Sequence, residues 1–118
     1  RSFIKGVLPL ERDLNFVEDV VDAFLLAAAA PGTAGEVYNL GAEPISLKSL
    51  ASLLVEINGC GSFRLVPFPD DRKSIDIGNY KGNYEKIRSA LEWNPKYALR
   101  DGLRTTIEYY RQHSQEYW

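Results

Sequence analysis

Histidine, cysteine and methionine are scarce in this chain. Its 118 residues include one histidine, one cysteine and no methionine. A zinc site built from histidine and cysteine is therefore not expected, and His113 is predicted to be a solvated residue near the end of the last helix. Cys60 has no partner for an internal disulfide, which fits the reducing cytoplasm in which we expect the protein to act.

A strong net charge and a long apolar run are missing as well. The formal net charge of −2 provides no field suited to a polyanion, so nucleic acid is not an expected partner. The longest apolar stretch, residues 23–31, is far shorter than a membrane-spanning helix of roughly 20 residues, and we expect no membrane contact. The chain opens without methionine in an apolar segment, which indicates a piece of a longer protein.

Apolar periodicity predicts four helices and two short strands. The helices are expected at residues 17–30, at 47–57 with Ser46 as the N-cap, from Asn83 to Leu91, and from 99 or 100 to 113, and the strands at 36–40 and 63–66. Two short strands are too few for a self-sufficient sheet. The pattern therefore predicts an α/β fold that further sequence upstream would complete.

Three cationic side chains are candidates for binding an anion. Arg12 stands just before the first helix, and Arg72 and Lys73 lie in a polar loop, residues 68–79, that has no periodicity. Each alone is most simply a surface charge. Loops on a rigid scaffold often carry binding residues, however, and a forked guanidinium suits bidentate phosphate binding. Two arginines from distant parts of the chain could therefore clamp a diphosphate.

Glycines on both sides of Cys60 superficially suggest a phosphate-binding loop. A dinucleotide-binding loop follows a strand and precedes a helix. Here a helix precedes Gly59, a strand follows Gly61, and the third glycine is missing. We therefore predict that this segment only ends the second helix.

Five segments of the chain carry recognisable motifs: R-D-L-N-F-V-E-D-V-V-D-A (12–23), V-Y-N-L-G (37–41), the helix at 46–57, K-I-R-S-A-L-E-W-N-P (86–95), and L-R-D-G-L with T-I-E-Y-Y (99–103 and 106–110). In order and spacing they resemble motifs of the extended short-chain dehydrogenases/reductases that act on nucleotide sugars. Leu14 stands where the family usually has an aromatic residue, and Glu92 where it usually has glycine. Two motif residues, Asn39 and Asp19, are expected to end a strand and to start a helix rather than to bind substrate. The resemblance covers nearly the whole chain from Arg12 onward.

By this resemblance the chain is the small C-terminal α/β lobe of such an enzyme, one nucleotide-sugar-binding domain over residues 1–118. In the family, an N-terminal Rossmann domain carries G-x-x-G-x-x-G for NAD(P) and a Tyr-x-x-x-Lys pair for proton transfer. Neither motif occurs here. The resemblance implies that NAD binds to the missing Rossmann domain, which is also this lobe's partner. It further implies that this chain alone has no catalytic, cofactor-binding or metal-binding residues and is inactive, and that the intact enzyme is a homodimer.

The resemblance also assigns residues to substrate binding. Arg12 matches the family's arginine that contacts the substrate diphosphate. A second arginine of the family, in a loop, contacts the same diphosphate, and an aspartate after it contacts the ribose; Asp76 takes the aspartate's place. The loop arginine falls on Arg72 or Lys73, because this loop reads R-K-S-I-D where relatives often have R-x-x-D. Arg72 is favoured for its bidentate geometry.

The loop over residues 71–78 most resembles the UDP-glucose 4-epimerase group. The resemblance therefore implies the substrate-binding part of a UDP-hexose 4-epimerase-like enzyme, with a nucleotide-diphosphate sugar as its partner. A nucleotide-sugar 4,6-dehydratase is the alternative within the family. A non-catalytic module that binds a sugar nucleotide or a protein is the alternative from another class. The residues that separate these activities lie mostly upstream of this chain.

Overall fold

A computed structural model of the chain describes residues 4–5, 11–67 and 82–117. Over these ranges helices and very short strands are mixed, as the α/β prediction requires. In chain order the elements are β1 (Ile4–Lys5), β2 (Glu11–Asp13), α1 (Val17–Ala29), β3 (Pro44–Ser46), α2 (Leu47–Asn58), β4 (Leu65–Val66), α3 (Glu85–Leu91), α4 (Leu99–Gln112) and α5 (Ser114–Tyr117). The four helices predicted from periodicity are confirmed, with ends one or two residues from the predicted ones.

Short-range hydrogen bonds account for several helix ends. The Ser46 side chain accepts a hydrogen bond from the backbone N–H of Ser49 at 3.1 Å, so it caps α2 as predicted. Gly59 ends the same helix in the left-handed conformation, with φ 78°. Asn83 Oδ1 accepts from the backbone N–H of Glu85 at 3.0 Å, at the start of α3. Ser46 and Asn83 each accept a hydrogen bond from a backbone N–H that the first turn of a helix leaves unpaired, and Gly59 turns the chain away from the helix axis. The sequence identifies all three residues at these helix ends.

The strands form two separate ladders. β1 and β4 are parallel, with Ile4 opposite Leu65, which confirms the second half of the strand predicted at 63–66. β2 and β3 are antiparallel, with Arg12 opposite Ile45. The sequence pattern did not predict β2 and β3, because three residues are too few to show an alternation of apolar and polar side chains.

The prediction of a strand at residues 36–40 is wrong, because the described structure has no strand at these positions. The alternation that suggested it is present: Tyr38 and Leu40 pack against the core, whereas Val37 is 74% exposed. A strand also requires a neighbour for its ladder, and no described strand supplies one here. Instead, Lys86 Nζ donates to the carbonyl of Val37 at 2.8 Å and to the carboxylate of Glu36 at 2.7 Å. The hydrogen bond from Lys86 lowers the pKa of Glu36.

A small core joins α1, α3 and the segment after α3. Ile87 and Trp93 are 1% exposed, and they pack with Ala23 of α1. The Tyr84 ring meets Trp93 edge to face, with centroids 5.8 Å apart, a favoured aromatic geometry. The motif tryptophan therefore serves packing.

Asp19 links this core to the start of α4. It lies in the first turn of α1, as predicted, but its side chain is 1% exposed. Its carboxylate accepts from the backbone N–H groups of Lys96 at 2.9 Å and Tyr97 at 3.2 Å, and its carbonyl accepts from the Trp93 indole N–H at 2.9 Å. A buried carboxylate requires such partners. Asp19 is therefore used inside the fold, where its carboxylate ties the start of α1 to the segment before α4.

Helices α2 and α4 pack against each other. Arg100 of α4 reaches both carboxylate oxygens of Glu56 at 3.2 Å, and Arg111 donates to the carbonyl of Asn58 at 2.8 Å. Exposed pairs of this kind contribute little to stability. They join residues near opposite ends of α4 to the last turn of α2, and so hold the C-terminal end of α2 against α4.

Glu92 ends α3 in the left-handed conformation, with φ 56°. Its backbone N–H donates to the carbonyl of Arg88 at 2.9 Å, closing the last turn. This is the position at which the resembling family usually has glycine. A residue with a Cβ is strained in this conformation, whereas glycine is not. The family's preference thus has a backbone cause.

We predict that Glu92→Gly stabilises the chain. Relief of the left-handed strain, less the greater entropy that glycine has in the unfolded chain, should raise the free energy of unfolding by about 0.5–1 kcal/mol. Urea unfolding measures this value. The matched control is Ser89→Gly, at an exposed position inside the same helix, which should lower the free energy of unfolding by about 0.5 kcal/mol. A Glu92→Gly variant less stable than the parent would contradict the prediction.

Candidate functional site

Arg12 occupies the middle of β2, where β3 pairs with it. Its side chain is half-buried, and one guanidinium nitrogen, Nη1, donates to the carbonyl of Glu11 at 2.8 Å. The sequence alone places this residue in front of a helix. The structure adds that its backbone is part of a ladder, so the guanidinium extends from a fixed base.

Asp13, the next residue, joins three distant parts of the chain. Its Oδ2 accepts from the backbone N–H of Gly82 at 2.7 Å and from that of Ala42 at 3.4 Å. Nearby, the Asn15 side chain donates to the carbonyl of Gly41 at 2.9 Å. Hydrogen bonds therefore hold the end of β2 to residues 41–42 and to Gly82.

Gly41 and Gly82 are in close contact within this junction. A Cβ on Gly41 would lie 2.6 Å from the carbonyl oxygen of Gly82, and a Cβ on Gly82 would lie 2.4 Å from the carbonyl oxygen of Leu40. Real Cβ atoms do not approach backbone so closely. We call the set of Asp13, Gly41 and Gly82 the Asp13 junction. Sequence reasoning missed it because no local pattern connects residues 13, 41 and 82.

Arg72, Lys73 and Asp76 lie outside the described residues. Whether Arg72 meets Arg12 therefore stays a prediction. The described chain resumes at Gly82, six residues after Asp76, and Gly82 is bonded to the residue next to Arg12.

An apolar groove of about 640 Å³ runs between the start of α1 and the face of α4. Its lining includes Leu14, Phe16, Val17, Tyr97, Leu103 and Tyr110. The Phe16 ring lies against Gly102, where a Cβ would be 3.3 Å from the ring. The centroids of the Phe16 and Tyr97 rings are 4.7 Å apart. The glycine of the D-G-L motif thus leaves room for an aromatic side chain. Such a lining suits an apolar surface better than a diphosphate.

Tyr97 closes one end of the groove with a polar group. Its hydroxyl donates to the carboxylate of Glu18. This hydrogen bond raises the pKa of the Tyr97 phenol above its usual value. The phenol is therefore protonated at neutral pH and acts as a donor.

The remaining candidate groups have structural surroundings. His113 caps the end of α4 as predicted, but it is half-buried rather than solvated, because its ring stacks on Tyr109 at 4.2 Å. Cys60 is exposed, and Gly59 before it is a helix cap, which confirms that this segment ends α2. Within the described ranges no group of three or more His, Cys, Asp or Glu side chains could hold a metal ion. In the same ranges, no helix has both the length and the apolar composition needed to cross a membrane.

No protein-family model matches the chain, but individual proteins do. It is 36% identical over 107 residues to a dTDP-D-glucose 4,6-dehydratase of Bos taurus, an alignment that covers 86% of this chain and 29% of that protein. The crystal structure of UDP-glucose 4-epimerase with UDP-glucose from Thermotoga maritima matches with a TM-score of 0.81 and 32% identity, over 95% of this chain and 35% of its own. A dTDP-glucose 4,6-dehydratase from Bacillus anthracis in complex with NAD matches with a TM-score of 0.78 and 26% identity, over 98% and 36%.

This chain therefore spans about a third of the length of these relatives. It aligns with their C-terminal portion. The prediction of a small C-terminal α/β lobe agrees with both the architecture and this alignment.

Proposed function

This chain belongs to the extended short-chain dehydrogenase/reductase family, and we propose that it is the nucleotide-sugar-binding lobe of an NAD-dependent epimerase or dehydratase. The observation that carries the proposal is the placement of Arg12. The motif arginine is half-buried on a strand that is paired on one side and fixed at its end by the Asp13 junction. A preorganised guanidinium is suited to a diphosphate, because little entropy is lost when it binds.

The diphosphate would be held by two arginines. We propose that Arg12 supplies one contact and Arg72 the other, with Asp76 accepting a hydrogen bond from a ribose hydroxyl. Support comes from the motif match and from the similarity, over 95% of this chain, to an epimerase whose crystal structure contains UDP-glucose. Lys73 remains the alternative to Arg72, but an ammonium cannot make the bidentate contact.

The cofactor would bind elsewhere. The dehydratase from Bacillus anthracis was solved with NAD, and we propose NAD for the intact enzyme. The residues described here do not fit it: the two glycines around Cys60 end a helix, and the sequence has no glycine-rich strand-to-helix motif. We therefore assign NAD to the missing N-terminal domain. This chain's own contribution is to bind and orient the sugar nucleotide.

An exposed apolar face on α1 supports a partner domain. Val21, Phe24 and Leu25 have the apolar spacing of one helix face, but all three are exposed: Phe24 to 72%, Leu25 to 63% and Val21 to 48%. The buried residues of this helix are instead Asp19 and Ala23. Contiguous exposed apolar surface is typical of an interface. Because the aligned relatives are about three times as long as this chain, we propose that the N-terminal domain of the same polypeptide covers this face.

Two reactions are candidates for the intact enzyme. The loop at 71–78 and the 32% identity to the Thermotoga maritima structure favour a UDP-hexose 4-epimerase. The 36% identity to the bovine protein favours a nucleotide-sugar 4,6-dehydratase. In the resembling family both begin with removal of hydride from a sugar carbon, and both need the same diphosphate grip.

We predict that the full-length enzyme turns over a nucleotide sugar. Purified enzyme is incubated with UDP-glucose and with dTDP-glucose, and the products are separated by chromatography and identified by mass and NMR. A product of unchanged mass from UDP-glucose indicates epimerisation, whereas loss of water from dTDP-glucose indicates dehydration. Tight binding of a nucleotide sugar without conversion of either would favour the non-catalytic module instead.

We predict that Arg12→Ala and Arg72→Ala each weaken binding of UDP or dTDP to the full-length enzyme. The loss should be about 1.5–3 kcal/mol, the scale of a hydrogen bond to a charged group, or about tenfold to a hundredfold in Kd. Asp76→Ala should weaken binding less, because it would contact a neutral hydroxyl. Lys73→Ala is the control for Arg72 and should change Kd little. Wild-type affinity in both arginine variants would exclude the clamp; calorimetric titration measures all four.

We predict that the 118-residue chain on its own self-associates through α1. Phe24→Ser combined with Leu25→Ser should shift the sedimentation profile towards monomer, because it removes two large and strongly exposed apolar side chains of the helix. The control is Tyr117→Ser, which removes a 51% exposed aromatic residue far along the chain. A parent chain that sediments as a monomer at all concentrations would argue against an uncovered interface.

A further inference from the structure

The Asp13 junction is held by hydrogen bonds and also by close backbone packing. One carboxylate oxygen, Asp13 Oδ2, accepts from Gly82 at 2.7 Å and from Ala42 at 3.4 Å. The same oxygen would lie 2.9–3.0 Å from a Cβ on either Gly41 or Gly82. Three separate segments therefore meet at one side chain, and two of them must lack a Cβ to do so.

The position of this junction in the chain connects it to the proposed site. Asp13 directly follows Arg12, and Gly82 is the first described residue after the polar segment at 68–81. Successive side chains of a strand point to opposite faces. The Asp13 carboxylate can therefore fix the backbone of β2 from one face while Arg12 leaves it on the other.

We propose that Asp13 is a positioning residue for the diphosphate site, acting by holding the end of β2 against Gly41 and Gly82; this inference rests on the proposed function of Arg12. Asp13 acts through the backbone and does not touch the ligand. Its carboxylate is used by two backbone N–H groups, which explains how an acidic residue can stand next to an arginine that binds an anion.

The sign of the effect separates positioning from simple electrostatics. A carboxylate near a bound diphosphate repels it, so removal of the charge alone would strengthen binding. Loss of positioning would weaken binding. Asp13→Ala removes both the charge and the acceptor, and we expect Kd for UDP and dTDP to rise about tenfold in the full-length enzyme. Asp13→Asn keeps one acceptor oxygen, but its uncharged amide forms weaker hydrogen bonds than the carboxylate and holds the junction less firmly, so we expect a rise of about threefold.

A second variant tests the same junction without changing Asp13. Gly41→Ala places a Cβ 2.6 Å from the Gly82 carbonyl oxygen and 2.9 Å from the Tyr84 ring, so the two segments must separate. We expect its Kd to rise as much as that of Asp13→Ala. The matched control is Gly35→Ala, which is strained by φ 78° but has nothing within 4 Å of the added Cβ. It should lower stability without changing Kd.

Two readouts distinguish positioning from general destabilisation. Hydrogen exchange at the Gly82 amide should become faster in Asp13→Ala, while amides inside α2 keep the exchange rate of the parent. In steady-state kinetics, KM should rise while kcat stays within about twofold of the parent value, because the reacting groups lie in the other domain. If Asp13→Ala does not fold, Asp13→Asn and Gly41→Ala give the same test.

The outcomes separate this inference from the proposed function. If Arg12→Ala leaves Kd unchanged, the proposed function of this site fails, and the inference fails with it. If Arg12→Ala weakens binding but the Asp13 and Gly41 variants bind as tightly as the parent or more tightly, the positioning role of Asp13 is wrong and Arg12 stands alone. Weaker binding in Asp13→Ala, Asp13→Asn and Gly41→Ala, with Gly35→Ala unchanged, supports it.

Discussion

The burial of Asp19 is the constraint on which the arrangement of the helices depends. Its carboxylate and carbonyl together accept three hydrogen bonds, from the backbone of Lys96 and Tyr97 and from the indole of Trp93. An unsatisfied buried polar group costs about 1–3 kcal/mol, so neither side of this contact can move without the other. Since α4 begins two residues after Tyr97, the same bonds fix where that helix starts relative to α1.

The consequences extend from there to the candidate site. With the start of α4 fixed, Gly102 lies under the Phe16 ring, which stands between β2 and α1. β2 is in turn paired with β3 and tied at Asp13 to Gly41 and Gly82. Arg12 is thus placed by a series of contacts in which backbone N–H groups, a ring and two glycines take part.

Most motif residues by which the chain resembles its family make contacts within this lobe. Asp19, Trp93 and Gly102 are buried and serve packing or hydrogen bonding within this lobe. Gly41 is required where two backbones meet, and the residue at position 92 is set by a left-handed φ. Such positions serve the fold and do not specify a reaction. This agrees with relatives that include both dehydratases and an epimerase.

The sequence by itself determined the helices, because each depends on interactions within about four residues: the cap at Ser46, the stop at Gly59 and the apolar spacing between them. It also identified Arg12 as a candidate ligand, although only through a motif. Tertiary structure alone decided which face of α1 is buried, whether residues 36–40 find a strand partner, and that Asp13 lies against Gly82. These outcomes depend on pairs of residues up to 78 apart, from Tyr97 to Asp19, and local periodicity contains no information about partners at that separation. Phe24 lies on the apolar face of α1 and is exposed for the same reason: a helix specifies an apolar face, but only a neighbouring surface can cover it.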